Sequence, residues 1–159
     1  MNIKEEIRRM CREKNAVIMA HYYTDGEIQD MADFVGDSLA LAQKAATTDA
    51  DIIVMCGVHF MGETSKILCP DKKVLVPDLE ATCSLAESCP ADKFAEFVAE
   101  HPGHTVISYV NTTAATKAVT DIVVTSSNAR EIVESLPQDT PIIFGPDRNL
   151  GGYINSITG

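Results

Sequence analysis

The segment VPDLEATCSLAESCPADKF (76–94) places Cys83 between Thr82 and Ser84, with Cys89 six residues on (89 − 83). A thiol in such a polar, loop-like stretch can be half of a disulfide, a nucleophile, a metal ligand or a small apolar side chain. Two further groups invite chemistry. AHYYT (20–24) carries His21 and Tyr23, and SYVNT (108–112) carries Tyr109 and Asn111. Each follows an apolar run that reads as a strand, and ligands of open α/β sheets bind beyond the carboxyl ends of strands. Alternation along a strand would point His21 and Tyr23 the same way, and likewise Tyr109 and Asn111. In each case a serine follows 17 residues later (38 − 21 and 126 − 109), in GDSLALAQKAA and TSSNAREIVE. Ser38 and Ser126 are expected to start helices, where hydroxyls and free N–H groups can hold carboxylates or a phosphate.

That expectation bears on the charge. The 159 residues carry a formal net charge of −10. A nucleic-acid partner needs a basic face, which this composition does not offer. Anionic small molecules would then be held by helix starts and hydroxyls rather than by many Lys or Arg. No G-x-G-x-x-G or Walker-type glycine loop occurs, so nucleotide binding has no motif support. The start, MNIKEEIRRMCREKNA, is charged and helix-like, without the apolar core of a secretory signal. No run of 18 apolar residues occurs, so no membrane span is expected. Five cysteines with no C-x-x-C spacing fit free thiols in a reducing cytoplasm.

The elements that must position these residues alternate. Strands are expected at 16–21, 51–57, 73–77, 104–110, 121–125 and 141–145, all near-continuous apolar runs as in parallel sheets covered on both faces. Helices are expected at 2–14, 27–32, 38–48, 60–69, 90–100, 127–136 and 149–157. In the 90–100 helix Phe94, Phe97 and Val98 share a face. The fold class is α/β, built of repeated small three-layer αβα units with parallel sheets. A shift of 88 residues lays 18–24 on 106–112 and 32–38 on 120–126, matching Thr24 with Thr112, Asp33 with Asp121, Val35 with Val123 and Ser38 with Ser126. A shift of 89 lays 53–62 on 142–151. The first unit is read as 1–86 and the second as 87–159, incomplete: a counterpart of Cys83 would fall at roughly position 172. His59 is read as a helix-cap or surface residue, and Arg148 as a surface residue or half of an ion pair between the units, with a phosphate contact as its functional alternative. His101 and His104, around a Pro-Gly loop, are read as solvated, Cys56 as a buried mid-strand residue, and Cys11 and Cys69 as bystanders.

Taken together, AHYYTDGEIQDMADFVGDSLALA, CGVHFMGETSKIL, VPDLEATCSLAESCPAD, SYVNTTAATKAVTDIVVTSSNA and FGPDRNLGGY resemble the quinolinate synthase family, in order and across essentially the whole chain. The resemblance implies three pseudo-symmetric αβα units, each giving one cysteine to a central 4Fe–4S cluster, with one iron left open as a Lewis acid. On that resemblance Cys83 is a cluster ligand and Cys89 is not. It also implies condensation of iminoaspartate with dihydroxyacetone phosphate to quinolinate, phosphate and water in NAD biosynthesis, and a functional link to L-aspartate oxidase. His21, Ser38, Tyr109, Asn111 and Ser126 become substrate contacts, and Tyr23 a catalytic hydroxyl that moves or orients a proton. The other two cluster cysteines would lie outside these residues, so the chain alone is expected to be inactive. The competing reading is a non-enzymatic α/β module that binds a small carboxylated or phosphorylated metabolite. A catalytic thiol at Cys83 is the poorest reading, since no histidine, aspartate or asparagine stands immediately beside it in sequence.

Overall fold

A computed structural model describes residues 2–159. In chain order its elements are α1 (Ile3–Glu13), β1 (Ala16–His21), α2 (Gly26–Met31), β2 (Phe34–Gly36), α3 (Ser38–Thr47), β3 (Ile52–Cys56), α4 (His59–Leu68), β4 (Lys73–Leu75), α5 (Ser84–Glu87), α6 (Ala91–Glu100), β5 (Thr105–Tyr109), α7 (Ala114–Lys117), β6 (Ile122–Val124), α8 (Ala129–Ser135), β7 (Ile142–Gly145) and α9 (Arg148–Thr158). The chain divides into two units, one ending at Thr82 and one beginning at Cys83. The first holds a parallel sheet of order β2-β1-β3-β4, the second a parallel sheet of order β6-β5-β7. Among the described residues no helix is long and apolar enough to cross a membrane.

In the first unit β1 is the most deeply buried strand. Its four inner residues, Val17 to Ala20, are all buried, as a central parallel strand covered on both faces requires. Met19, Leu41, Ile53 and Met55 form the fully buried interior, with Phe60 and Met61 of α4 beside them in the core. In the second unit successive residues of β5 enter two different clusters. Ile107 packs with Val124, Ala129 and Ile154, whereas Val106 packs with Phe94 and Ile143. Adjacent strand residues point to opposite faces, so apolar helices cover both sides of that sheet.

The repeat is visible in the hydrogen bonds. Met19 pairs with Phe34 and Ile107 with Ile122, an 88-residue shift of both partners. Val17 pairs with Ile53 and Thr105 with Ile142, shifts of 88 and 89. The short strands β2 and β6 share a second device. Asp33 precedes β2, donates its N–H to Ile18 O at 2.8 Å, and accepts Ile18 N–H on its carboxylate at 2.8 Å. Asp121 does the same to Val106, at 2.9 and 2.8 Å. A carboxylate thus extends a three-residue strand by one rung and satisfies a buried N–H.

Several elements depart from the sequence reading. β2 is absent from it, because three residues ending in glycine carry too little periodicity to register. The four-residue helices α5 and α7 are missed for the same reason. Phe97 is 47% exposed and stacks on His101 at 4.2 Å between ring centroids, while Phe94 and Val98 turn inward. The loop histidines are half-buried rather than fully solvated: the His101 Nδ1 lies 2.7 Å from Phe97 O, and the His104 Nδ1 atom is buried. Phe97 and the returning 101–104 turn pack on each other, which a helix-face pattern alone does not reveal.

Candidate functional site

β1 ends at His21, beside Gly36 of β2, and β5 ends at Tyr109, beside Val124 of β6. The turn that follows is built alike in both units. Tyr22 N–H donates to Gly36 O at 3.3 Å, and Val110 N–H to Val124 O at 2.8 Å. The Thr24 hydroxyl donates back to His21 O at 2.8 Å, and the Thr112 hydroxyl to Tyr109 O at 3.1 Å. The strands stop before Tyr23 and Asn111, so strand alternation does not align them with His21 and Tyr109. In the first unit the turn does so instead: the His21 and Tyr23 rings lie 4.7 Å apart, and Tyr23 N–H donates to His21 Nδ1 at 3.3 Å.

That hydrogen bond fixes the tautomer. Nδ1 is the acceptor, so the proton of the neutral ring sits on Nε2 and can be donated to a ligand oxygen. Burial lowers the His21 pKa, and the carboxylate of Asp37 pulls it partly back. The Tyr23 side chain is 92% exposed at the rim of the same turn.

The two serines sit differently from expectation. Ser38 is the first residue of α3, but Asp37 is its cap, accepting Ala40 N–H on its carboxylate at 2.8 Å. An aspartate caps as well as a serine, and here its charge already occupies the helix start expected to receive an anion. Ser126 does not start a helix. α8 begins at Ala129, because Asn128 Oδ1 accepts from both Thr125 N–H (2.7 Å) and the Thr125 hydroxyl (3.2 Å). This side-chain turn competes with helix and delays it, leaving Ser126 exposed beside the paired hydroxyls of Thr125 and Ser127 (2.8 Å).

Cys83 stands at the N-cap position of α5, half-buried, and Asn111 Nδ2–H points at its sulfur at 3.6 Å. Two candidates 28 residues apart are therefore brought together within the second unit. The other thiols differ. Burial pushes the Cys89 thiol pKa up as it packs against the Phe94 cluster, and burial likewise raises Cys56 and Cys11. Cys69 is buried with its S–H donated to Ala45 O at 3.2 Å. Among the described residues no group of three or more His, Cys, Asp or Glu could hold a metal ion, so Cys83 offers one soft ligand rather than a complete site. An amide donor aimed at sulfur suits a metal-bound thiolate, whose charge such bonds stabilise. The chain thus fits one corner of an iron–sulfur cluster.

Gln29 and Lys117 escape a reading by residue type. Gln29 Nε2 donates to Tyr22 O (2.9 Å) and Thr24 O (2.8 Å). Lys117 Nζ donates to Val110 O (2.9 Å), Thr112 O and the Thr112 hydroxyl (3.2 Å). The available signal is the repeat: 29 + 88 = 117. His59 and Arg148 are likewise matched (59 + 89 = 148), as the exposed first residues of α4 and α9.

Residues 5–159 match the family model described as quinolinate synthetase A protein. The chain is 60% identical over 159 residues to the quinolinate synthase of Thermosynechococcus vestitus, covering 100% of this chain and 50% of that one. It is 64% identical over 153 residues to the quinolinate synthase of Cyanothece sp. (96% and 48%), and 62% identical over 153 residues to that of Synechocystis sp. (96% and 48%). It spans about half the length of the curated relatives it matches. With the family model matching residues 5–159 and with this degree of identity to its relatives, the chain belongs to the quinolinate synthetase A protein family.

Proposed function

We propose that this chain is part of a quinolinate synthase that condenses iminoaspartate with dihydroxyacetone phosphate, giving quinolinate, phosphate and two molecules of water, as a step toward NAD. The observation that carries the reading is the Asn111 Nδ2–H on Cys83 Sγ at 3.6 Å, a donor placed on the thiol assigned to the cluster. When bound, a 4Fe–4S cluster with one iron free of protein ligands supplies a Lewis acid. The rest is the work of side chains. His21, with its proton on Nε2, donates to a carboxylate or carbonyl oxygen of substrate. Tyr23, in ring contact with His21, carries the hydroxyl that moves or orients a proton. Ser38, Tyr109, Asn111 and Ser126 bind and orient the substrates through hydroxyl and amide groups. On this reading the protein acts in the cytoplasm and has a functional link to L-aspartate oxidase.

The remaining cluster thiolates are assigned to residues outside these 159, so the chain alone is expected neither to retain a cluster nor to turn over. Anaerobic reconstitution with iron and sulfide checks both parts. The 159-residue chain should show no stoichiometric cluster; a full cluster with turnover refutes that assignment. In the full-length protein Cys83→Ser should abolish the visible absorbance of the cluster and Cys89→Ser should not. A Cys83→Ser protein with normal iron content would overturn the reading.

A further inference from the structure

Gln29 and Lys117 each bond the backbone carbonyls seven and five residues earlier. The residue skipped between those carbonyls is Tyr23 in one unit and Asn111 in the other. Each donor therefore pins the peptide groups on both sides of a candidate site residue. We propose that Lys117 is a positioning residue that holds the 110–112 turn so that Asn111 delivers its Nδ2–H to Cys83, and that Gln29 does the same for the turn presenting Tyr23 to His21.

The two clamps meet the two carbonyls with different donors. A glutamine amide has two N–H groups and meets two carbonyls; a lysine ammonium has three and also meets the Thr112 hydroxyl. The acceptors on the lysine side lie deep, since Val110 is buried and Thr112 is 0% exposed. Removing the lysine would take the donor from the Thr112 carbonyl, whereas Val110 O would keep the Thr112 N–H at 2.8 Å; a turn relieves a carbonyl left unpaired by rearranging. The same clamp is built with two chemistries at one repeat position, so the bridging geometry rather than the charge is what the two units share. The helices that carry the donors, α2 and α7, are otherwise short and start at matched positions (26 + 88 = 114).

The significance of the lysine clamp rests on the proposed role of Cys83, but its test does not. The Asn111 side-chain amide is followed by NMR in the metal-free chain, with hydrogen exchange of the 111–113 backbone and a thermal melt as a check on folding. Lys117→Met should move the Asn111 side-chain resonances toward their positions in Cys83→Ala and speed exchange in the turn about tenfold. Lys117→Gln, which installs the first unit's chemistry, should restore both. Unchanged Asn111 resonances in folded Lys117→Met, or a Lys117→Gln as altered as Lys117→Met, would overturn the proposal. If Lys117→Met does not fold, Gln29→Met decides in the other unit: the ring-current shift between His21 and Tyr23 should be lost, and its persistence would refute the clamp. Normal iron content in full-length Cys83→Ser would sink the cluster reading while leaving these outcomes intact.

Discussion

The carboxylates that extend β2 and β6 permit a matched test of how each unit is stabilised internally. In Asp121→Ala the Val106 N–H loses its 2.8 Å acceptor. Val106 is a core residue, so that N–H finds little water. Leaving a buried donor unpaired costs roughly 1–3 kcal/mol. Asp33→Ala removes the equivalent bond to Ile18 and also the Arg8 contact at 2.8 Å. The side chains of that ion pair are each 35% exposed, so it adds at most about 1 kcal/mol. Asp33→Ala should thus destabilise its unit by slightly more than Asp121→Ala does its own. Native-state hydrogen exchange resolves the effect unit by unit, with Ile18 and Val106 as reporters. At about 1.4 kcal/mol per tenfold, their protection should fall roughly 5- to 150-fold. If Val106 in Asp121→Ala kept its wild-type protection, the carboxylate would not be a rung of the ladder and the reasoning would fail. If Asp33→Ala cost several kcal/mol more than Asp121→Ala, the weight given to the Arg8 pair would be wrong.

Other outcomes follow from the same structure. An alanine Cβ at Gly62 would sit 2.3 Å from Val76 Cγ2, so Gly62→Ala should cost about 1–3 kcal/mol in urea unfolding, and Val76→Ala should recover part of it in the double variant. The folded-state pKa of His21 lies below its unfolded value, so the unfolded chain binds more protons between the two; the contribution is fully present above the unfolded pKa near 6.5 and is lost as pH falls through the folded pKa. Acid titration of stability should therefore be shallower in His21→Gln. Asp37→Asn should lower the His21 pKa further, as read from its Hε1 resonance. Burial raises the thiol pKa of Cys56 and Cys89, so both should alkylate more slowly at pH 8 than the same residues in urea-unfolded chain.

The long apolar runs made the α/β alternation legible, and β1, β3, β5 and β7 fall where their runs are. The repeat was legible as grammar because its fixed points are polar: Thr24 and Thr112, and Asp33 and Asp121, are kept for backbone hydrogen bonds that the strand tips need. The candidate residues could be found from residue type at strand ends. Their supports could not. Asp37 and Asn128 displaced the serines from the capping roles expected of them, since capping depends on which nearby side chain reaches the free N–H first. Cys83 and Asn111 meet through a chain reversal of 28 residues that no local pattern encodes. Gln29 and Lys117 look like ordinary surface polar residues until their side chains are seen to fold back on the turn.

The matched positions also bear on how so acidic a chain could handle anions. Under the 88-residue shift Asp37 becomes Thr125 and Gln29 becomes Lys117. A carboxylate is exchanged for a hydroxyl and a neutral amide for an ammonium. Asp25, Glu27 and Asp30 likewise become Thr113, Ala115 and Ala118, so with four carboxylates lost and one ammonium gained the second segment is five charge units more positive than the first. The backbone network around each tip is nevertheless the same, bond for bond, at the threonine hydroxyl, the aspartate rung and the clamp. Both donors make the same pair of carbonyl bonds. What the exchange alters is the local potential felt by a ligand. A ligand at the second tip would therefore meet less negative surroundings than one at the first, chiefly because four carboxylates are gone and also because one ammonium stands behind the turn.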